Sequence, residues 1–181
     1  MPPYAHIFDR AININLQICL HAGIISKNLG NNGRKERDIM KLREIMTLDP
    51  VRIHPKERIE VAARLMTQYN IGMLPVCAVD GKLRGVVTDR DLVTRCMASG
   101  KVPQQTLVEQ AMTRGITVAG PEMEASAAAA LMGRMQVRRL PVVEGGILRG
   151  MVSLSDLAAC RETEPDAAEA LVEISSNVSY R

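Results

Sequence analysis

The chain has 181 residues, 46% of them hydrophobic but only 2% aromatic. That length suits one or two small domains, and their core has to be aliphatic, with eleven Met as adaptable filler. The 23 basic and 20 acidic side chains nearly balance, so the chain has neither the basic footprint nor the aromatic stacking platforms of a nucleic-acid surface.

Residues 1–39 stand apart from the rest of the chain. Ile12, Ile14, Leu16, Ile18 and Leu20 alternate with polar residues, a pattern that fits a strand or a weak helix. Residues 12–25 resemble the apolar stretch of a secretion signal, but Asn13, Asn15, Gln17 and His21 interrupt it. No run reaches the roughly 18 apolar residues of a spanning helix, so a soluble protein without a membrane partner is expected. Residues 28–37 are Gly/Asn-rich and then charged, as in a linker. Met40 directly precedes the first patterned segment. Residues 1–39 therefore read as an extension, with Met40 admissible as the native start.

From Val51 to Ile53 the chain alternates and is β-branched, which predicts a short strand. Pro55 and Glu57 open a helix whose apolar face is Ile59, Ala62, Ala63 and Met66, ended by Asn70 and Gly72. Residues 74–79 and 83–87 then form strands around the Asp80-Gly81 turn. Thr88 opens a second helix with Asp91 three positions on, a capping-box arrangement. The same order returns further along: a strand at Thr117-Val118, a helix over 123–135, strands over 140–143 and 148–152, and a helix from Ser153.

The two runs are copies. Met46-Thr47 matches Met112-Thr113, and Leu74-Pro75-Val76 matches Leu140-Pro141-Val142, 66 residues apart. Gly85-Val86-Val87-Thr88 matches Gly150-Met151-Val152-Ser153, and Asp91-Leu92 matches Asp156-Leu157, 65 apart. One residue is lost in the turn, where Asp80-Gly81-Lys82 becomes Glu144-Gly145-Gly146. Each copy reads β-α-β-β-α. Neither can bury a sheet alone, so the two are expected to stack into one core. The predicted organisation is an extension over 1–39, repeats over 40–104 and 105–160, and an acidic tail over 161–181, partly helical. The fold class is α/β in the α+β sense, with the repeats packed as a pseudo-two-fold pair.

All these pieces in order, twice over about residues 41–160, resemble the CBS domain, whose tandem pairs are called Bateman modules. The resemblance implies clefts between paired repeats that take AMP, ADP, ATP, S-adenosylmethionine or dinucleotides. It also implies regulation of a partner protein, which the sequence does not identify, and dimers formed through the repeat helices. A homodimer is therefore expected. In this family the hydroxyl closing the strand, Thr88 or Ser153, meets a phosphate, and the acid one turn on, Asp91 or Asp156, meets two ribose hydroxyls. Both pairs are equally readable as simple helix caps. By resemblance the adenine slot is lined by Thr47, Pro50 and Val51, and by Thr113, Ile116 and Thr117; plain core packing of Val51 and Ile116 is the other reading. Arg138-Arg139 stands where family members contact phosphates, and guanidinium forks suit that task. Those two are otherwise exposed arginines at the start of a strand. The first copy has Gly72-Met73 there, which singles out the second cleft for a phosphorylated ligand. Arg90 and Arg95 either add positive potential nearby or are merely solvated.

Cys19, Cys77, Cys96 and Cys160 form no C-x-x-C pair and have no His at ligand spacing. Reduced thiols and a cytoplasmic location are expected, with no metal and no required cofactor. His6, His21 and His54 form no triad, so no enzyme is expected. Two functions stay open: a sensor of adenosyl ligands, and a ligand-free module for dimerisation or protein docking.

Overall fold

A computed structural model describes residues 39–176. The expectations for 1–38 and beyond 176 lie outside these residues. The described part starts with helix α1 (Leu42–Ile45) and strand β1 (Thr47–Leu48). Helix α2 (Ile59–Tyr69) and the hairpin of β2 (Met73–Cys77) and β3 (Leu83–Thr88) come next. After β3 comes a single α-turn, α3 (Asp89–Asp91), which continues as a π-helical run, Leu92–Met97. A 3-10 turn, Val108–Gln110, leads into α4 (Ala125–Met135), β4 (Arg139–Glu144), β5 (Ile147–Ser153), α5 (Leu154–Ala158) and α6 (Glu164–Ser176).

Local chemistry accounts for the helix stops. Asn70 and Gln136 both end their helices in the left-handed conformation, at φ 51° and 55°. Such a residue lets the backbone turn back and satisfy the last carbonyls. Here the amide of Ile71 reaches Met66 O and that of Val137 reaches Met132 O, each at 3.0 Å.

The predicted strand at 51–53 is reduced to a single parallel bridge, Ile53 with Val76, and the one at 117–118 does not form, a single parallel bridge falling next to it at Ala119 with Val142. Each lead-in touches its sheet at one point because upstream it is committed to the other half. Thr47 and Leu48 pair antiparallel with Met151 and Gly150 of β5, completing the sheet β1-β5-β4. In the matching place Thr113 bridges Val86 of β3. The lead-in of each repeat thus borders the other repeat's last strand.

The interior repeats this exchange. One cluster joins Leu42 and Ile45 to Ala128, Met132, Leu140, Val152 and Leu157. The other joins Val108 and Ala111 to Ile59, Met66, Leu74, Val87 and Cys96. Backbone bonds fasten each exchange: Leu42 N to Met123 O at 3.0 Å and Ala125 N to Met40 O at 2.9 Å, against Val108 N to Glu57 O at 2.8 Å and Ile59 N to Thr106 O at 3.0 Å. Glu122 adds a surface tie, accepting from Lys41 Nζ at 2.6 Å and from Arg43. Those bonds, Lys41's first, hold its carboxyl below the usual range. Lys82 bridges Ile147, 65 residues on, which is the offset that relates the second strands of the two hairpins, so this contact marks the pseudo-two-fold axis.

The halves differ on their outer helices. Helix α6 lies along α4, brought close by Gly133, whose added Cβ would fall 2.2 Å from Glu173 Oε2 and 3.4 Å from Ala170 Cα. On α2 the corresponding face bears exposed Ala63, Arg64 and Thr67. Among the described residues no helix is long and apolar enough to cross a membrane.

Candidate functional site: two inter-repeat clefts

Each candidate site lies at the end of a hairpin's second strand. In the first half, Thr88 Oγ1 accepts from Asp91 N at 3.2 Å. Thr88 N and Oγ1 donate in return to Asp91 Oδ2 at 3.0 and 2.8 Å. In the second half, Ser153 Oγ accepts from Asp156 N at 3.2 Å, and Ser153 N and Oγ both reach Asp156 Oδ2 at 2.7 Å. Ser155 Oγ lies 2.8 Å from Ser153 Oγ. This is the reciprocal capping that a hydroxyl and an acid three residues apart provide. In both halves it engages one carboxylate oxygen, Oδ2, and holds the acid in a fixed orientation.

The lead-in strands supply the facing wall. Thr47 pairs with Met151, two residues before Ser153, and Thr113 bridges Val86, two residues before Thr88. The approach is close because Gly85 and Gly150 carry no Cβ. One built on Gly85 would sit 2.2 Å from Thr113 O, and one on Gly150 would sit 2.8 Å from Thr47 O. Beyond these contacts each lead-in crosses to its own half: Pro50 and Val51 run towards the Ile53 bridge, and Ile116 and Thr117 towards the Ala119 bridge. All four are partly buried, as is Thr113, whereas Thr47 is exposed. The twelve residues singled out in the sequence thus fall into two related groups. Pro50, Val51, Thr88, Asp91 and Thr113 belong to the first half's end of the fold. Thr47, Ile116, Thr117, Arg138, Arg139, Ser153 and Asp156 belong to the second.

The groups differ in charge. Arg139 pairs in register with Ser153, and the Arg138 carbonyl accepts from Leu154 N at 2.9 Å. Both guanidinium groups are exposed, and neither makes a hydrogen bond or ion pair among the described residues. In the first half, Gly72 O accepts from Asp89 N at 3.1 Å, and Asp89 Oδ2 lies 2.9 Å from where a Gly72 Cβ would be. A carboxylate therefore lies where the second half presents an arginine.

One residue escaped the sequence reading and the role of another was missed. Asp89 was legible, since it faces Leu154 in the repeat alignment. The sequence reads Arg95 as added positive potential or as merely solvated, yet it is not simply solvated: it donates to Ala111 O at 2.8 Å and Thr113 Oγ1 at 3.0 Å. It also pairs with Asp91 Oδ1 at 3.3 Å. No spacing rule marks a side chain that reaches across to another repeat's lead-in. Among the described residues, Cys77, Cys96 and Cys160 form no disulfide, and burial pushes the Cys77 thiol up against an opposing pull from Arg52. No three His, Cys, Asp or Glu side chains there are grouped as metal ligands.

Two tandem units, exchanged lead-ins and a hydroxyl–acid pair at each strand end define a paired-repeat module. The CBS domain profile matches residues 42–98 and 108–162, and the chain belongs to that family. It is 37% identical over 134 residues to the CBS domain-containing protein YhcV of Bacillus subtilis, covering 74% of this chain and 94% of that one. Its fold is similar to Hypoxic Response Protein I with two coordinated zinc ions, at TM-score 0.62 and 30% identity over 66% of this chain and 97% of that one. It is also similar to the CBS domain pair of protein MJ0100 in complex with 5-methylthioadenosine and S-adenosyl-L-methionine. There the TM-score is 0.60 and the identity 26%, over 66% of this chain and 94% of that one.

Proposed function

We propose that this chain is a regulatory module, without catalysis of its own, that binds an adenosyl ligand such as AMP, ADP, ATP or S-adenosylmethionine and modulates a partner protein. The observation that carries this reading is the second cleft. Asp156 uses Oδ2 for its cap, which leaves Oδ1 to accept from ribose hydroxyls. Arg138 and Arg139, both exposed beside Ser153, suit a phosphate. The ligands named for the MJ0100 pair are of this adenosyl class. Occupancy regulates only if the ligand prefers one arrangement of the halves or of two subunits.

Calorimetry with AMP, ATP, S-adenosylmethionine and NADH tests the reading. We expect AMP to bind, and Asp156→Ala to abolish binding. Replacing both Arg138 and Arg139 with Ala should weaken AMP by roughly tenfold or more, since a charge-assisted hydrogen bond contributes about 1.5–3 kcal/mol. S-adenosylmethionine, lacking phosphate, should be weakened less. Silence from all four compounds would leave a ligand-free docking module.

The proposal includes a homodimer. Helix α4 is covered by α6 of the same chain, so the contact falls to α2 of the first half, where Ala63, Thr67 and Pro103 line a shallow groove together with Glu60, Arg64 and Gln68. Light scattering should give twice the chain mass at tens of micromolar; a monomer mass refutes the dimer.

A further inference from the structure

The two clefts share a plan but not a state. In the first, the Arg95 guanidinium spans both walls: Asp91 belongs to the first half's α3, while Ala111 and Thr113 belong to the lead-in of the second repeat. The helical run after Thr88 makes this possible, because it continues through the π-helical segment to Met97 and carries Arg95 one turn beyond Asp91. In the second half α5 stops at Ala158. Cys160 stands at the matching position, and its thiol donates back to Asp156 O at 3.4 Å.

The groups that Arg95 holds are those an adenosyl ligand would require. Asp91 Oδ1 is the carboxylate oxygen not used by the cap, and Thr113 is the near edge of the opposite wall. A guanidinium suits such a bridge because its planar fork serves several acceptors at once with little further loss of freedom. One of those acceptors is a backbone carbonyl, fixed by the turn around it. The Asp91 side chain is only 11% exposed, so solvent screens this pair less than a surface one. Asp89 at the mouth adds a negative charge unfavourable to phosphate.

We infer that Arg95 is a built-in latch: it fills the first cleft's ligand contacts from within, so that the chain takes up a single adenosyl ligand, in the second cleft. This rests on the adenosyl-binding function proposed for the module. It goes further in assigning the first cleft a mechanical role, fastening the lead-in of one repeat to the helix of the other.

Calorimetry of the full chain with AMP and with S-adenosylmethionine should give one site per chain. Asp156→Ala should then bind neither compound, and Asp156→Ala combined with Arg95→Ala should regain one site. With Asp89 at its mouth, that opened cleft should favour the cationic S-adenosylmethionine over AMP. Two sites in the natural sequence, or binding retained by Asp156→Ala alone, overturns the latch while leaving the adenosyl function intact. Should no adenosyl compound bind at all, that function falls, and hydrogen exchange decides the latch separately. Arg95→Ala should raise exchange several-fold at the amides of 112–114 and leave the matching 46–48 segment unchanged; equal exchange in both segments overturns it.

Discussion

At Gly85 the structure leaves no room for even one carbon. A Cβ there would lie 2.2 Å from a backbone oxygen, that of Thr113, and the same oxygen accepts from Val86 N at 3.0 Å. A flexible side chain could step aside, but a carbonyl held in a bridge cannot do so without breaking it. Gly85→Ala should therefore destabilise the fold by about 1–3 kcal/mol or more, the range for overpacking a filled interior. The lead-in it displaces carries Thr113, one of the candidate site residues. Gly120 is the control: nothing lies within 4 Å of its added Cβ, and Gly120→Ala should stay within about 0.5 kcal/mol. Urea midpoints of the two variants measure the difference, and equal midpoints would refute the close approach.

Among the elements, those built by local rules were readable in advance. The apolar spacing of Ile59, Ala62, Ala63 and Met66 marks α2, and the structure buries all of them but Ala63, which is exposed. The Asp80-Gly81 and Gly145-Gly146 turns mark the hairpins, with Gly81 at φ 78° and Gly146 at φ 82°. The hydroxyl–acid caps were legible because they span only three residues. What failed depends on distant partners. Residues 51–53 and 117–118 have strand composition, yet the first makes one bridge, at Ile53, and the second none, its bridge falling on Ala119 just beyond, since the neighbouring residues are spent on the other half. Thr47-Leu48 is a strand only because Gly150 and Met151 offer it an edge. The helix opened by Thr88 turns π-helical at Leu92, although Leu-Val-Thr-Arg reads as ordinary helix. Among the candidate site residues, the hydroxyl–acid pairing and the place of the paired arginines at a strand start follow from type and position. The pairing of Arg95 with Asp91 has ordinary i,i+4 spacing, but its reach to the opposite lead-in was not visible, because those partners lie 16 and 18 residues away, across a loop.

For the described residues together, the exchange of lead-ins makes the two repeats mutually dependent. Leu42 is fully buried, not among the first repeat's strands but beside Leu140, Val152 and Leu157 of the second. Val108 is fully buried in the first repeat's cluster, though it leads into the second. A repeat severed from its neighbour between residues 98 and 108 thus keeps a lead-in it does not use and loses the one that fills its core. Truncating a buried Leu to Ala costs about 2–5 kcal/mol, through lost burial and the cavity left behind. That loss is felt where the side chain packs, since regions of a fold open with different free energies. Leu42→Ala should therefore accelerate hydrogen exchange in β4 and β5, about a hundred residues downstream, before it affects β2 and β3. Val108→Ala should do the reverse, loosening β2 and β3 first. If Leu42→Ala instead loosens the first hairpin and spares the second, each repeat holds its own core, and the crossing that shapes both clefts is not what binds the halves together.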